Sequence, residues 1–211
     1  MYTPPAFRED DPAALAAMIG ACPLATLVTA TADGLLATPL PLLFDPAEGP
    51  FGVLHGHLAR ANPQWRAPVL GEALATFSGP DAYVSPGWYA SKAEHGKVVP
   101  TWNYAAVHAY GKIEFFEDAD RLLQVVRRLT ERHEAGRANA WAVSDAPADF
   151  VAAQLRGIVG MRMVITRLEG KRKMSQNRSA ADRAGVAQGL AGEASEMARR
   201  VAREIPLLRR P

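Results

Sequence analysis

The chain has 211 residues, 48% hydrophobic and 22% charged, with a formal net charge of +2. Those values describe an ordinary globular protein long enough to bury a sizeable core, and nothing in the net charge drives it onto nucleic acid or a membrane. A single cysteine, Cys22, excludes an internal disulfide framework and a cysteine-based zinc site, and is expected as a small buried apolar residue.

The opening MYTPPAFREDDP lacks an apolar signal core, and no apolar run approaches the roughly 20 residues needed to span a bilayer. The expectation is a cytoplasmic protein without a membrane partner. Asp10 or Asp11 before Pro12 marks a helix start, with Leu15, Met18 and Ile19 as its apolar stripe. Pro23 to Ala30 then reads as a strand, and Asp33-Gly34 as the turn into a return strand from Leu35 to Asp45. Pro39 and Pro41 stand two apart in that strand and point to an edge or a bulge. Phe51 to Leu58 is strand-like, with His55 and His57 on one face by period two. Asn62-Pro63 starts a brief helix that Pro68 stops, with Arg60 and Asn62 at the join; freed amides beside a guanidinium suit an anion.

From Phe77 to Lys112 the chain carries two of the four tryptophans and all but one of the tyrosines. Rings beside rigid prolines, with Thr101 and Asn103 as hydrogen-bonding groups, suit a flat ligand; an aromatic plug at a barrel end accounts for the same composition. A break is expected at Gly79-Pro80 and a bend near Pro100. Strand alternation then runs through Val107, Ala109, Gly111, Ile113 and Phe115. Asp118 caps a helix with Leu122, Val125, Val126 and Leu129 at helical spacing and Arg121, Arg127, Arg128 and Arg132 on a solvated face. Ser144 or Asp145 caps a further short helix, Gly157 to Gly170 is the last strand, and KRKMSQNRS follows as a basic loop. The rest is helical to about Arg203, with a gap near Gly189 to Gly192. About six or seven strands in hairpins with helices outside describe an α+β protein built on a β-barrel.

No G-x-S-x-G, H-E-x-x-H or Walker loop is present. His55 and His57 lack a third ligand nearby and read as hydrogen-bonded structural residues, so no metal is expected. His55, His95 and Tyr104 are the only candidates for a general acid, and no catalytic residue follows from the pattern. Arg60, Asn62, Lys171 to Lys173 and Arg178 lie at element ends. They are either solvent-exposed charge or a phosphate clamp beside the aromatic cluster, the outline of flavin mononucleotide (FMN).

HLARANPQW, FSGPDAYVSPGWY, VVPTWNYAAVHAYG and GKRKMSQNRS, with the opening MYTPPAF, resemble the PaiB-type family of FMN-binding negative transcriptional regulators, from Met1 to about Leu190. The resemblance implies a split β-barrel of antiparallel strands with flanking helices, paired as a homodimer with FMN at the subunit interface. It implies a split-barrel domain over residues 1–190 and a C-terminal helical extension over 191–211. By position in the motifs, the phosphate falls between His55 and Asn62, with Arg60 at its corner. The flavin ring lies near Thr38 and Pro39, and the partner subunit closes the site with Trp102 and Asn103 or with Lys173, Gln176 and Asn177. Arg60 stands there without the Arg-Lys-rich segment of the related oxidases. Two functions follow from the resemblance: an FMN-binding regulator, or a flavin-dependent oxidoreductase of the same barrel class. DNA is a conceivable partner of the first, but no helix-turn-helix or zinc finger supports it.

Overall fold

A computed structural model describes residues 1–207. After a short strand, β1 (Arg8–Glu9), the Asp-Pro signal starts helix α1 (Pro12–Ala21). The Asp11 carboxylate accepts hydrogen bonds from the amides of Ala13 and Ala14 at 3.3 and 3.2 Å, satisfying donors that the first turn leaves open. The hairpin follows as β2 (Leu24–Thr31) and β3 (Gly34–Pro41), in register from Thr31 opposite Gly34 to Leu24 opposite Pro41. Gly34 takes a φ of 117° at the turn, a conformation that favours glycine.

The return strand stops at Pro41, and Leu43–Asp45 forms a separate strand, β4, paired with β5 (Val53–Ala59). Next come a single 3-10 turn at Pro63–Trp65 and the strand β6 (Ala73–Val84). A second 3-10 turn (Pro86–Trp88) and helix α2 (Ser91–His95) occupy the segment before β7 (Thr101–Phe116). Asp118 caps α3 (Ala119–Glu134), accepting from the amide of Arg121 at 2.8 Å. Helix α4 (Ala148–Leu155) starts one position after Pro147, which occupies the cap position expected for Ser144 or Asp145. Strand β8 (Ile158–Lys173) and helices α5 (Ala180–Ala191) and α6 (Glu196–Glu204) complete the described chain. Of the extension expected over 191–211, residues 208–211 lie outside the described residues.

The sheet order is β3-β2-β6-β7-β8-β5-β4, with β1 paired to β8. β3 is an edge, as its prolines require. The amide of Leu42 donates to Pro23 O at 2.8 Å, so alternate amides face β2 and the nitrogens of Pro39 and Pro41 face the open side, where no ladder bond is lost. Four expectations are corrected. β6 runs unbroken through Gly79-Pro80, because Gly79 is where the backbone comes close to Ala105: an added Cβ would lie 2.9 Å from that residue's Cβ. β7 is one strand of 16 residues without a bend inside it, since Pro100 precedes its first residue. The first three residues of the basic segment belong to β8. Cys22 is half-buried rather than buried.

The chain divides into two compact units, and β6, β7 and β8 contribute residues to both. One comprises Met1–Met18, Ser78–Val107 and the chain from Glu169 onward. Its core joins Val84 and Tyr89 to Met174, Val186, Leu190, Val201 and Ile205. The other comprises Ile19–Phe77 and His108–Leu168, where Leu122, Val125 and Leu129 of α3 pack with Leu43 and Phe116. The apolar stripe of α3 is thus the core face predicted for it, but its arginine face is engaged rather than merely solvated. Arg121 pairs with Glu114 at 2.8 Å, Arg128 with Asp45 at 2.7 Å, and Arg132 donates to Gly20 O at 2.8 Å.

Gly111 marks the tightest backbone approach in that second unit: an added Cβ would stand 2.2 Å from the carbonyl oxygen of Val164. Backbone has no rotamer to yield with. Gly111→Ala is therefore expected to lower stability by about 1–3 kcal/mol or more, read as a lower urea midpoint with an unchanged slope.

Candidate functional site

Period two places Thr38 and Pro39 on opposite faces of β3. Pro39 is exposed, whereas Thr38 turns toward the 3-10 turn and meets two amide side chains. Its hydroxyl donates to Gln64 Oε1 at 2.5 Å and accepts from Asn62 Nδ2 at 2.8 Å. Asn62 also caps the turn by accepting from the amide of Gln64 at 2.9 Å, the role its place before Pro63 predicts. Gln64, 1% exposed, spreads its Nε2 over Thr29 Oγ1 (3.1 Å), Leu36 O (3.3 Å) and Leu27 O (3.4 Å). Two predicted residues, Thr38 and Asn62, are therefore joined directly, and both also bond a glutamine that motif reading passed over. The signal was a polar residue in the first turn after a proline, where an amide can reach back to the preceding strands.

Arg60 is committed within the same unit. Its Nε donates to Arg156 O at 2.6 Å, one terminal nitrogen donates to Ile158 O at 3.2 Å, and the other pairs with the Glu117 carboxylate. The guanidinium thus braces its own surroundings. His55 bonds through Nε2 to Glu48 at 2.9 Å, and Asp45 lies within ligand distance of both. Arg162 bonds Glu48 and Arg128 bonds Asp45, and these hydrogen bonds hold both carboxyl groups below their ordinary pKa. The cluster is a closed ion-pair network.

The other predicted residues belong to the first unit. Asn103, 1% exposed, donates to Ser175 Oγ at 2.9 Å and accepts back from that hydroxyl at 3.2 Å. Ser175 holds a φ of 62°, the left-handed region, without being glycine. Gln176 fixes this bend from both sides. It accepts from the amide of Met174 at 2.6 Å and donates to Arg172 O. Lys173 donates to the Thr101 hydroxyl and to Trp102 O, the latter at 2.6 Å. Burial, then Lys171 and Arg178, push the pKa of Lys173 down. Asn177 is exposed at the tip of the loop. The Trp102 ring is 52% exposed and meets the half-exposed Tyr83 ring edge-on at 6.1 Å and 72°. With Trp88 these rings line a cavity of about 600 Å³ that also includes Asp81 and Glu193.

Residues 1–167 match the family described as "Putative FMN-binding domain". The chain belongs to that FMN-binding family. Within it, the chain is 32% identical over 203 residues to "Protease synthase and sporulation protein PAI 2" of Bacillus subtilis, covering 96% of this chain and 95% of that protein. Among solved structures it is similar to the flavocytochrome Anf3 from Azotobacter vinelandii, with a TM-score of 0.58 and 16% identity over 79% of this chain and 69% of the other. It is also similar to the FAD and heme binding protein from Mycobacterium smegmatis, with a TM-score of 0.56 and 17% identity over 79% and 73%. At those identities the structural likeness concerns fold alone. The fold class is the one read from the sequence, an α+β split β-barrel of antiparallel strands with flanking helices.

The family's cofactor is FMN, and the residues of the first unit fit its chemistry. Open aromatic faces at Trp102 and Tyr83, the exposed amide of Asn177 and the amine of Lys173 suit a flat heterocycle with an anionic tail. In the second unit the polar groups of Thr38, Asn62 and Gln64 satisfy one another. Gln64→Ala would leave Thr29, Thr38 and two carbonyls short of partners. It is expected to cost about 1–3 kcal/mol of stability, measured by denaturant unfolding, with Gln64→Glu also destabilising because a buried carboxylate offers no donor.

Proposed function

We propose that the protein is an FMN-binding homodimer of the PaiB type that acts as a negative regulator of transcription. One observation carries the dimer: the outward face of β2, β3 and β6 in the second unit is largely apolar and uncovered, interrupted by Thr26 and Thr76. Leu35 and Leu24 are 74% and 66% exposed, Ala37 and Pro39 are exposed between them, and Val28 and Leu74 are half-buried on the same face. A flat run of this kind on an edge hairpin invites another sheet, and a second copy of the chain supplies the same face. In such a dimer Trp102, Asn103, Lys173, Gln176 and Asn177 of one protomer would close the flavin site, and Thr38, Pro39, His55 and Asn62 would border it from the other. Bound FMN would supply a redox-active ring, while the protein holds and shields it.

The regulatory part rests on likeness to PAI 2, whose name concerns protease synthesis and sporulation. Direct reading of DNA is less well supported than action through another protein. The arginines of α3 and α6 are largely paired, Arg199 and Arg203 both with Glu196 at 2.9 and 2.8 Å, which leaves little free positive surface on those helices for phosphates. No helix among the described residues is long and apolar enough to cross a membrane.

Ala37→Glu is expected to convert the dimer to monomer in analytical ultracentrifugation and to cost bound FMN and repression of a protease-promoter reporter together. A variant that stays dimeric would remove the basis for the interface.

The second reading, a flavin-dependent oxidoreductase, is favoured by the cavity beside Trp102, whose volume of about 600 Å³ lies within the range of small-molecule sites. It predicts anaerobic bleaching of the bound flavin by reduced nicotinamide and recovery on aeration. A flavin inert to such donors would leave the regulatory reading alone.

A further inference from the structure

In the first unit, β6, β7, α5 and α6 all contribute to the cavity of about 600 Å³ beside Trp102, and its lining combines aromatic rings with acid. Tyr83, Trp88 and Trp102 bring three rings and Asp81 and Glu193 two carboxylates; among the described residues no lysine, arginine or histidine borders the space. Neither carboxylate takes part in a hydrogen bond or ion pair among the described residues. The cations nearby are committed elsewhere. Arg199 reaches Glu193 only at its backbone carbonyl, at 2.9 Å, and gives its charge to Glu196, as Arg203 does. Lys173 bonds the Thr101 hydroxyl and the carbonyl of Trp102 and is not part of the lining.

The rings are set in place by the protein itself. Trp88 lies so close to α5 that a Cβ added at Gly189 would fall 2.3 Å from its indole. The Ser85 hydroxyl caps the turn that carries this ring, accepting from the amide of Gly87 at 3.2 Å. Tyr83 and Trp102 meet at 72° with their centroids 6.1 Å apart, so they form two walls of a corner. Both are left about half in water, while Leu190 and Ala198 make a buried apolar side to the same cavity. An aromatic face is negative, so two rings at an angle attract one cation from two sides, and carboxylates beside them add to the attraction. Walls already in place spare a ligand the cost of ordering them.

From this lining we infer that the cavity binds an organic ammonium ion. Its positive head faces the rings of Tyr83 and Trp102 and the carboxylates of Asp81 and Glu193, and its apolar body lies toward Leu190 and Ala198. The inference goes beyond both readings of the flavin and rests on neither. Carboxylates without a counter-ion repel a phosphate, so an anion is a poor occupant of this space. A bare metal cation would gain from the acids alone and nothing from the apolar side.

The test is calorimetric titration of the full chain with benzyltrimethylammonium, beside the neutral benzyl alcohol and the anionic benzoate. Wild type is expected to bind the ammonium, to bind the alcohol about ten-fold more weakly, and to ignore benzoate. Asp81→Asn and Glu193→Gln should each weaken the ammonium about two- to five-fold, the range for an exposed charge pair, and leave the alcohol unchanged. Trp102→Leu keeps apolar bulk but removes the aromatic face, and should weaken the ammonium about two- to thirty-fold. Both acids are exposed, so their variants fold even where the tryptophan variant does not. Asp149→Asn on α4, away from the cavity, controls for net charge and should change nothing. Alcohol or benzoate binding as tightly as the ammonium would overturn the inference, as would full affinity in the double variant Asp81→Asn, Glu193→Gln. Wild type that takes up FMN but no ammonium would overturn it and leave the flavin reading standing; ammonium bound without FMN would do the reverse.

Discussion

A β-strand of 16 residues extends about 50 Å, farther than one hydrophobic core of a small protein reaches. β7 and β8 both have that length, and with β6 they lend residues to two compact units. The rest of the architecture answers this constraint. Backbone must stay close and regular along the whole length, and it does so through glycine: at Gly111 against Val164 in one unit and at Gly79 against Ala105 in the other. Side chains on alternate positions then serve different ends. Asn103, Ala105, Val107 and Ala109 turn inward along β7, whereas Trp102 and Tyr104 stay accessible between them.

Buried polarity is treated in opposite ways in the two units. Around Gln64 each donor meets an acceptor within the protein, so the network rigidifies the join between β5 and the 3-10 turn and asks for nothing more. In the Lys171–Arg183 segment Arg172 meets Glu204 and Glu9, whereas the buried Arg183 leaves its Nε unpaired. A closed network and an open one can come from equally polar sequences. The difference lies in whether complementary groups are brought within hydrogen-bond distance, and such unmet demand is where a ligand gains most.

The apolar hairpin face has a similar standing. Edge strands are costly to leave exposed, and natural sheets blunt them with charge, proline or a cover. β3 uses proline on its open edge but carries no charge among Leu35, Ala37, Pro39 and Pro41. Proline protects the backbone edge against further strands while the flat face stays sticky, a combination that permits face-to-face pairing and resists end-on aggregation.

Local chemistry in the sequence was sufficient for most elements. Asp11-Pro12, Asp33-Gly34, Asn62-Pro63 and Asp118 each act within a few residues of themselves, so caps and turns could be read without knowing the partner. The hydrophobic stripe of α3 and the alternation of β7 were legible for the same reason, as was the family, whose motifs are short and contiguous. Signals that depend on a neighbour misled. Gly79-Pro80 resembled a break because the close approach of Ala105 that explains the glycine comes from another strand. At Arg60 the groups it bonds, Glu117 and the carbonyls of Arg156 and Ile158, are 57 to 98 positions away in the chain and could not be read locally. Charge balance is likewise a property of space. The sequence by itself determined which groups this protein owns and how its strands and helices begin and end, and tertiary structure alone decided which of those groups are already satisfied, since electrostatic and hydrogen-bonding partners are chosen by proximity in three dimensions.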